Sequence, residues 1–298
     1  MRRTVGILLL GILLTACASV DLEAPIPVYE TGVDSEAWAT IAAGEFLYGQ
    51  FDDPVAMEYD YEIMVTDVTV AQYVGFLNAA LKDGSLKIAD GQLVGFYPGD
   101  VFHGGKHEVE IAAGDYEIVP LDDPASRFSF DGSVFSAKSG YEAHPMTNVT
   151  WFGARAYCET YGWRLPNELE WEKAARGTDG RPFPWGHEIA RNNANFSASR
   201  DPFEDMGSFG SRTSPVGFYN GMAYDGYTTL DGASPYGVYD MAGNVWQWTS
   251  EIQEGLHDRF MRGGSKDTYE MDLRAWVRNS ATPMYFSPGV GFRCARTP

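Results

Sequence analysis

The sequence predicts an α+β domain rich in loops, with short strands and about three helices. Three observations carry this expectation. Only three stretches repeat apolar residues at helical spacing between a capping residue and a glycine. Elsewhere the apolar runs are short and broken by glycine or acidic residues, as strands and turns require. Beyond Gly180 helical patterns give way to aromatic residues and glycines, among them Trp185, Trp246, Trp248, Trp276, Gly263, Gly264, Gly289 and Gly291.

The chain opens with Arg2 and Arg3, an apolar run from Val5 to Leu14, and Leu14-Thr15-Ala16-Cys17. A charged start, a short apolar stretch and small residues before a cut predict a cleaved signal peptide over residues 1–16. Cys17 becomes the acylated first residue, and its acyl chains anchor the protein without a spanning helix. Ala18 after Cys17 resembles lipoproteins passed on to the outer membrane. The expected localisation is therefore the bacterial cell envelope, lipid-anchored at the outer membrane. No later stretch approaches the roughly 20 apolar residues of a membrane helix. Residues 17–37, with Pro25 and Pro27 and little periodicity, read as a lipidated tether, and residues 38–298 as the domain.

Within the domain, Ile41–Gly49 and Tyr59–Val65 suit strands and turns. Thr69 can cap a helix carrying Val70, Tyr73, Val74 and Leu77, and Gly84 can stop it. Residues from about 86 to 140 alternate in short segments punctuated by Gly and Asp, a β-rich insertion. A second helix is expected from about Trp151 to Tyr161 behind Thr150. A third follows Asn167, whose spacing to Glu170 is that of a capping box, and ends at Gly177.

Composition narrows the function. The formal charge is −19, from 22 basic and 41 acidic residues, which makes nucleic acid an improbable partner and suits solubility or attraction for cations. Three cysteines are present. With Cys17 lipidated, Cys158 and Cys294 remain as an even pair in an oxidising compartment, and a disulfide is expected. No serine nucleophile motif, phosphate loop or thiol pair stands out.

Four stretches, in this order, resemble the sulfatase-modifying factor family, whose namesake is the formylglycine-generating enzyme. They are His144-Pro145 with Asn148–Trp151; Gly162–Glu172; Tyr236–Trp248; and Arg262-Gly263-Gly264-Ser265 with Gly291-Phe292-Arg293-Cys294. Ala43–Phe46 and Asp67–Thr69 look like that family's opening, so the resemblance runs from about residue 40 to 298. It implies a formylglycine-generating-enzyme-like fold related to C-type lectin domains, and it places a structural disulfide at Cys158 and Cys294. The family enzyme holds copper through two cysteines shortly after Gly-Gly-Ser. Straight counting puts Thr268 and Leu273 there, and neither can replace a soft thiolate, so no copper is expected.

The resemblance implies calcium at Asp240, Gly243, Val245 and Gln247, where Gln247 replaces a family glutamate and lowers the ligand charge. Asn195 and the Phe196 carbonyl resemble part of a second calcium site, with Asp205 as a partner. His103 and His107, beside Glu108 and Glu110, invite comparison with the iron-binding histidines of related sulfoxide synthases. Gly104 and Gly105 argue against the helix such a site needs, which favours a surface turn. Arg262, Ser265, Arg274, Arg278, Trp246 and Trp276 would lie near the family's peptide groove, where binding and buried structural roles are both open. The expected function is an envelope lipoprotein of this family, unable to oxidise cysteine to formylglycine, that binds a peptide, protein or envelope component. The alternative is a periplasmic maturation enzyme working on a peptide or small molecule through another metal or through acid-base groups such as Asp267, Glu270 and Asp272.

Overall fold

The computed structural model describes residues 26–204, 212–253 and 255–298. The expected signal peptide, Cys17 and Asp205 lie outside the described residues. Strands β1 (Trp38–Ile41), β2 (Gly44–Tyr48), β3 (Asp53–Met57) and β4 (Tyr61–Met64) precede helix α1 (Val70–Asp83). The expected insertion holds β5 (Leu86–Ala89), β6 (Gln92–Tyr97), β7 (Gly114–Val119), β8 (Phe128–Phe130) and β9 (Phe135–Ala137). Helices α2 (Trp151–Thr160) and α3 (Glu168–Arg176) follow. The last third carries β10 (Ala223–Tyr224), β11 (Tyr227–Thr228), β12 (Trp246–Ile252), β13 (Arg259–Arg262), a 3-10 turn (Glu270–Leu273), β14 (Arg278–Ala281), β15 (Val290–Gly291) and β16 (Ala295–Arg296).

Each helix begins and ends where its local chemistry dictates. Thr69 accepts from the Gln72 N–H while Gln72 returns to the Thr69 backbone, and Gly84 closes α1 at a φ of 82°. Thr150 caps α2 through the Gly153 N–H. Asn167 and Glu170 form the reciprocal box at the start of α3, two acidic residues occupy its first turn, and Lys173 and Arg176 its last.

Two sheets position the rest. One runs β1-β4-β16, so Ala295 lies opposite Ile63 and closes the C-terminal region onto the first strands. The other runs β14-β13-β12-β15, with β12 and β15 parallel. The main core packs α1 and α2 between the insertion and this second sheet, around Tyr73, Phe76, Trp151, Trp248 and Phe292. Gly153 makes that packing possible, since a Cβ there would collide with the Ile118 carbonyl and the Tyr73 hydroxyl. Cys158 on α2 and Cys294 before β16 form the disulfide inside this core, with Cα atoms 5.7 Å apart.

One expected boundary shifts. The Tyr29 ring lies 5.9, 5.5 and 5.3 Å from those of Phe203, Phe218 and Tyr224, and Asn220 donates to the Thr31 carbonyl at 2.8 Å. Part of the expected tether, from Ile26 to residue 37, therefore packs with the domain. An extended segment needs no periodicity to dock when one aromatic residue supplies the buried area.

Candidate functional site

The strand alternation of the second sheet decides which candidates meet. Trp246, Met261 and Asn279 share one face and line a cleft of about 360 Å³ with Ser265, Asp267, Thr268, Ser280, Tyr285, Ser287 and Gly289. Its floor is apolar, since Trp246, Met261 and Val290 are buried, and its rim carries hydroxyls, an amide and one carboxylate. Ser265 and Thr268 brace each other: the Thr268 Oγ1 accepts from the Ser265 N–H at 2.9 Å and donates to the Ser265 carbonyl. Asp267 pairs with the buried Lys266 ammonium, whose pKa is lowered by burial and only partly restored by that carboxylate. Leu273 is buried beneath the turn rather than in the cleft.

Gln247, Arg262 and Arg278 face the other way, towards α3. Arg262 is fully buried; it reaches Glu172, lies 3.5 Å from Glu168, donates to the Val277 carbonyl and stacks 5.3 Å from the Trp171 ring. Arg278 is exposed over Phe260, Trp276 lies beneath the Arg176 guanidinium, and Arg274 is exposed after the 3-10 turn. Of the six expected groove residues, the structure brings Trp246 and Ser265 together. Arg262 and Arg278 stand opposite each other on β13 and β14, on the face away from this cleft, and of the two roles left open for them Arg262 takes the buried structural one here. The alternation was the available signal, and it points to Met261 and Asn279. Glu270 is exposed and Asp272 is absent from the cleft lining, so the carboxylates considered for acid-base work do not converge with Asp267.

The Asp240–Gln247 loop is held by hydrogen bonds. Asp240 accepts from the Gly217 N–H at 2.7 Å, and burial raises its carboxyl to about 6 despite that bond and the nearby Arg293. The Gln247 amide donates to the Asp240 carbonyl at 2.6 Å, while its oxygen accepts from Trp171 and from Arg293, each at 2.8 Å. Both donors are obligatory, so the amide orientation follows from chemistry. In this arrangement Gln247 turns a nitrogen, and no oxygen, towards Asp240, which does not fit a cation held between them. Gly243, at a φ of 79°, packs so tightly on the Asn195 carbonyl that no Cβ fits. The neighbouring loop is different. Asn195 donates to the Arg212 carbonyl and its own carbonyl accepts from Asn244, yet its buried side-chain oxygen meets no donor among the described residues. A hard cation is one way to satisfy such an oxygen. The Phe196 carbonyl accepts from Ser199 at 2.9 Å. Among the described residues no group of three or more His, Cys, Asp or Glu is arranged to hold a metal ion.

Sequence reasoning missed a charged cluster between the insertion and the β12–β13 hairpin. His257 bonds Asp100 through Nδ1 and Glu108 through Nε2, each at 2.8 Å, and Arg259 reaches both Asp100 oxygens at 2.8 Å. The Arg259 guanidinium also lies over Trp151.

A loop-rich α+β domain, with an internally paired α3 and a Gly-Gly-Ser turn beside an aromatic-floored cleft, defines a protein of the formylglycine-generating-enzyme class. The chain belongs to the sulfatase-modifying factor family: residues 28–298 match its domain, described as sulfatase-modifying factor enzyme 1-like. It is 38% identical over 160 residues to inactive C-alpha-formylglycine-generating enzyme 2 of Bos taurus, covering 51% of this chain and 50% of that protein. It is 32% identical over 176 residues to the formylglycine-generating enzyme of Mus musculus, covering 51% of this chain and 44% of that one. A further relative, serine/threonine-protein kinase pkn1 of Chlamydia caviae, is 34% identical over 60% of this chain and 28% of its own length. The chain thus spans about half the length, or less, of these relatives. The fold resembles PvdO from Pseudomonas aeruginosa, with a TM-score of 0.57, 21% identity and coverage of 92% and 99% of the two chains. CarF gives 0.53 at 21% identity, covering 88% and 98%.

Proposed function

We propose that this chain is a binding member of its family that does not convert cysteine to formylglycine, and that its ligand, a peptide, protein or envelope component, occupies the cleft over Trp246. The observation that carries this reading is the chemistry at the Gly-Gly-Ser turn. The two positions counted for copper ligands are Thr268, whose hydroxyl is spent on Ser265, and buried Leu273. Cys158 and Cys294 are consumed in the core disulfide. This residue set does not fit a copper(I) thiolate centre. Among the carboxylates raised for acid-base work, the cleft contains Asp267 alone, and that group faces Lys266. The reading includes a lipid anchor at Cys17, an outer-membrane location and a structural calcium ion completed by Asn195.

The test is aerobic incubation of the soluble domain, starting after Cys17, with cysteine-containing peptides and added copper. The expected result is no turnover, and formation of any aldehyde product would sink the proposal. Metal analysis of the same protein, purified without chelator, is expected to find calcium alone. A stoichiometric transition metal would instead support the maturation-enzyme reading.

A further inference from the structure

Residues 99–113 of the insertion form an arm that lies against the β12–β13 hairpin. Its base is stitched by the Asp100 N–H donating to the Ile111 carbonyl at 2.8 Å. Asp100 is then pinned from several sides, by both contacts to Arg259 and by the Tyr97 hydroxyl at 2.5 Å. Further out, Glu108 organises the arm itself by accepting from the His103 and Gly105 backbone N–H groups at 2.9 and 2.8 Å. The His257 ring lies between these carboxylates and joins the outer arm to the hairpin.

The seam has little apolar cohesion. Val101, Phe102 and Leu256 remain 73%, 46% and 45% exposed, and clefts of about 220 and 300 Å³ open beside His103 and Gly255, the first reaching Asp100 and His257 and the second Glu108. What holds the outer arm in place is therefore largely charge. Asp100 and Glu108 face the ring; behind them stand His103 on Glu108, and Tyr97 from β6 and Arg259 from the hairpin on Asp100, with Asp258 beside His257 in the chain.

We propose that His257 is a proton-operated latch: as an imidazolium it clamps the outer arm through Glu108, and on losing a proton it releases that arm while the base stays fixed. The reason lies in donor counting. An imidazolium has two N–H groups and can serve both carboxylates, whereas neutral imidazole has one. One ring nitrogen would then aim a lone pair at a carboxylate oxygen 2.8 Å away. Asp100 cannot yield, because Arg259 keeps its charge at every relevant pH. The Glu108 side chain is 4% exposed, but the residues around it in the arm are exposed, and its hydrogen bonds other than that to His257 stay within the arm, so it can move with the arm. Glu108 and then Asp100 raise the His257 pKa, so the clamp is complete below the free-histidine range and is lost as pH rises through the raised value.

The experiment is amide hydrogen exchange of the soluble domain, corrected for intrinsic rates, from about pH 6 to about pH 9, following residues 101–108 against α3 as an internal reference. Protection of the arm is expected to fall roughly tenfold or more across that range while α3 is unchanged, because a charge-assisted bond is lost. His257→Gln should show weak protection at both ends of the range. Glu108→Gln, whose amide needs no imidazolium partner, should show no pH step. Equal corrected protection of the wild-type arm at both pH values would overturn the proposal, as would a pH step surviving in a folded His257→Gln variant. If His257→Gln fails to fold, the wild-type series and Glu108→Gln decide the matter.

Discussion

Replacing Arg262 by methionine separates a structural arginine from a ligand-binding one. The side chain is fully buried against Glu172, Glu168, the Val277 carbonyl and the Trp171 ring. Methionine fills much of the volume but leaves two carboxylates without their common cation. Glu172 keeps Arg176 at 3.0 Å and Glu168 keeps the Thr249 hydroxyl, so the loss is partial. Breaking one side of a buried ion pair costs about 3–5 kcal/mol. For a domain of this size, each kcal/mol moves the melting temperature by about 2–4 °C, which gives a fall on the order of 6–20 °C. Thermal unfolding followed by circular dichroism at neutral pH reads this directly. Arg278→Met is the control: its side chain is exposed and 3.9 Å from Glu168, and its effect is expected within about 0.5 kcal/mol. An Arg262→Met protein that melts like wild type would refute the assignment, and if it also lost cleft ligands Arg262 would belong to the groove after all.

Other outcomes follow from the same geometry. Removing the disulfide as Cys158→Ala with Cys294→Ala opens a loop with a sequence separation of 136 residues. The chain-entropy model sets the loss at about 5 kcal/mol, an upper value to be compared with urea unfolding of oxidised and variant protein. His144 is kept neutral by burial and by Arg127, with its pKa lowered from 6.5 to about 3. The unfolded chain therefore takes up a proton that the folded chain refuses, and stability falls as pH drops from about 6.5 towards 3. Asp240, raised to about 6, acts in the opposite sense between its free value of 3.8 and 6. The His144 part is consequently read as the difference in slope between wild type and His144→Phe in guanidinium unfolding. Chelation should lower the melting temperature if calcium completes Asn195, and Asn195→Ala should abolish the calcium dependence; a melting temperature indifferent to calcium would remove that ion from the account.

The helices were legible because their signals are local. Thr69, Thr150, Asn167, Gly84 and Gly177 act within a turn of their own position, so reading them requires no knowledge of the fold. The cleft was legible only in part. Trp246 and Ser265 came from family motifs, but Met261, Asn279 and Tyr285 join them through strand pairing and loop return, which a linear pattern does not record. Tyr29 was hidden for the same reason, since its partners lie more than 170 residues away. The His257 cluster shows the limit most clearly. His103, Glu108 and their neighbours were visible as a polar turn, while the residue that gives them a joint role is a lone histidine 149 positions beyond Glu108.

The closing of the first sheet by β16 sets an order on the folding of this protein. Arg293 bonds the carbonyls of Met64 and Val65, Cys294 joins Cys158, and Ala295 pairs with Ile63. A chain in which residues 291–298 have not yet docked can already hold α1, α2 and α3, yet the piece that ties the C-terminal region to α2 and the first strands is still missing. Helices can form from local signals, but the finished interior waits for contacts that span 229 residues, and until they form a partly folded chain exposes the seam along β4 and α2.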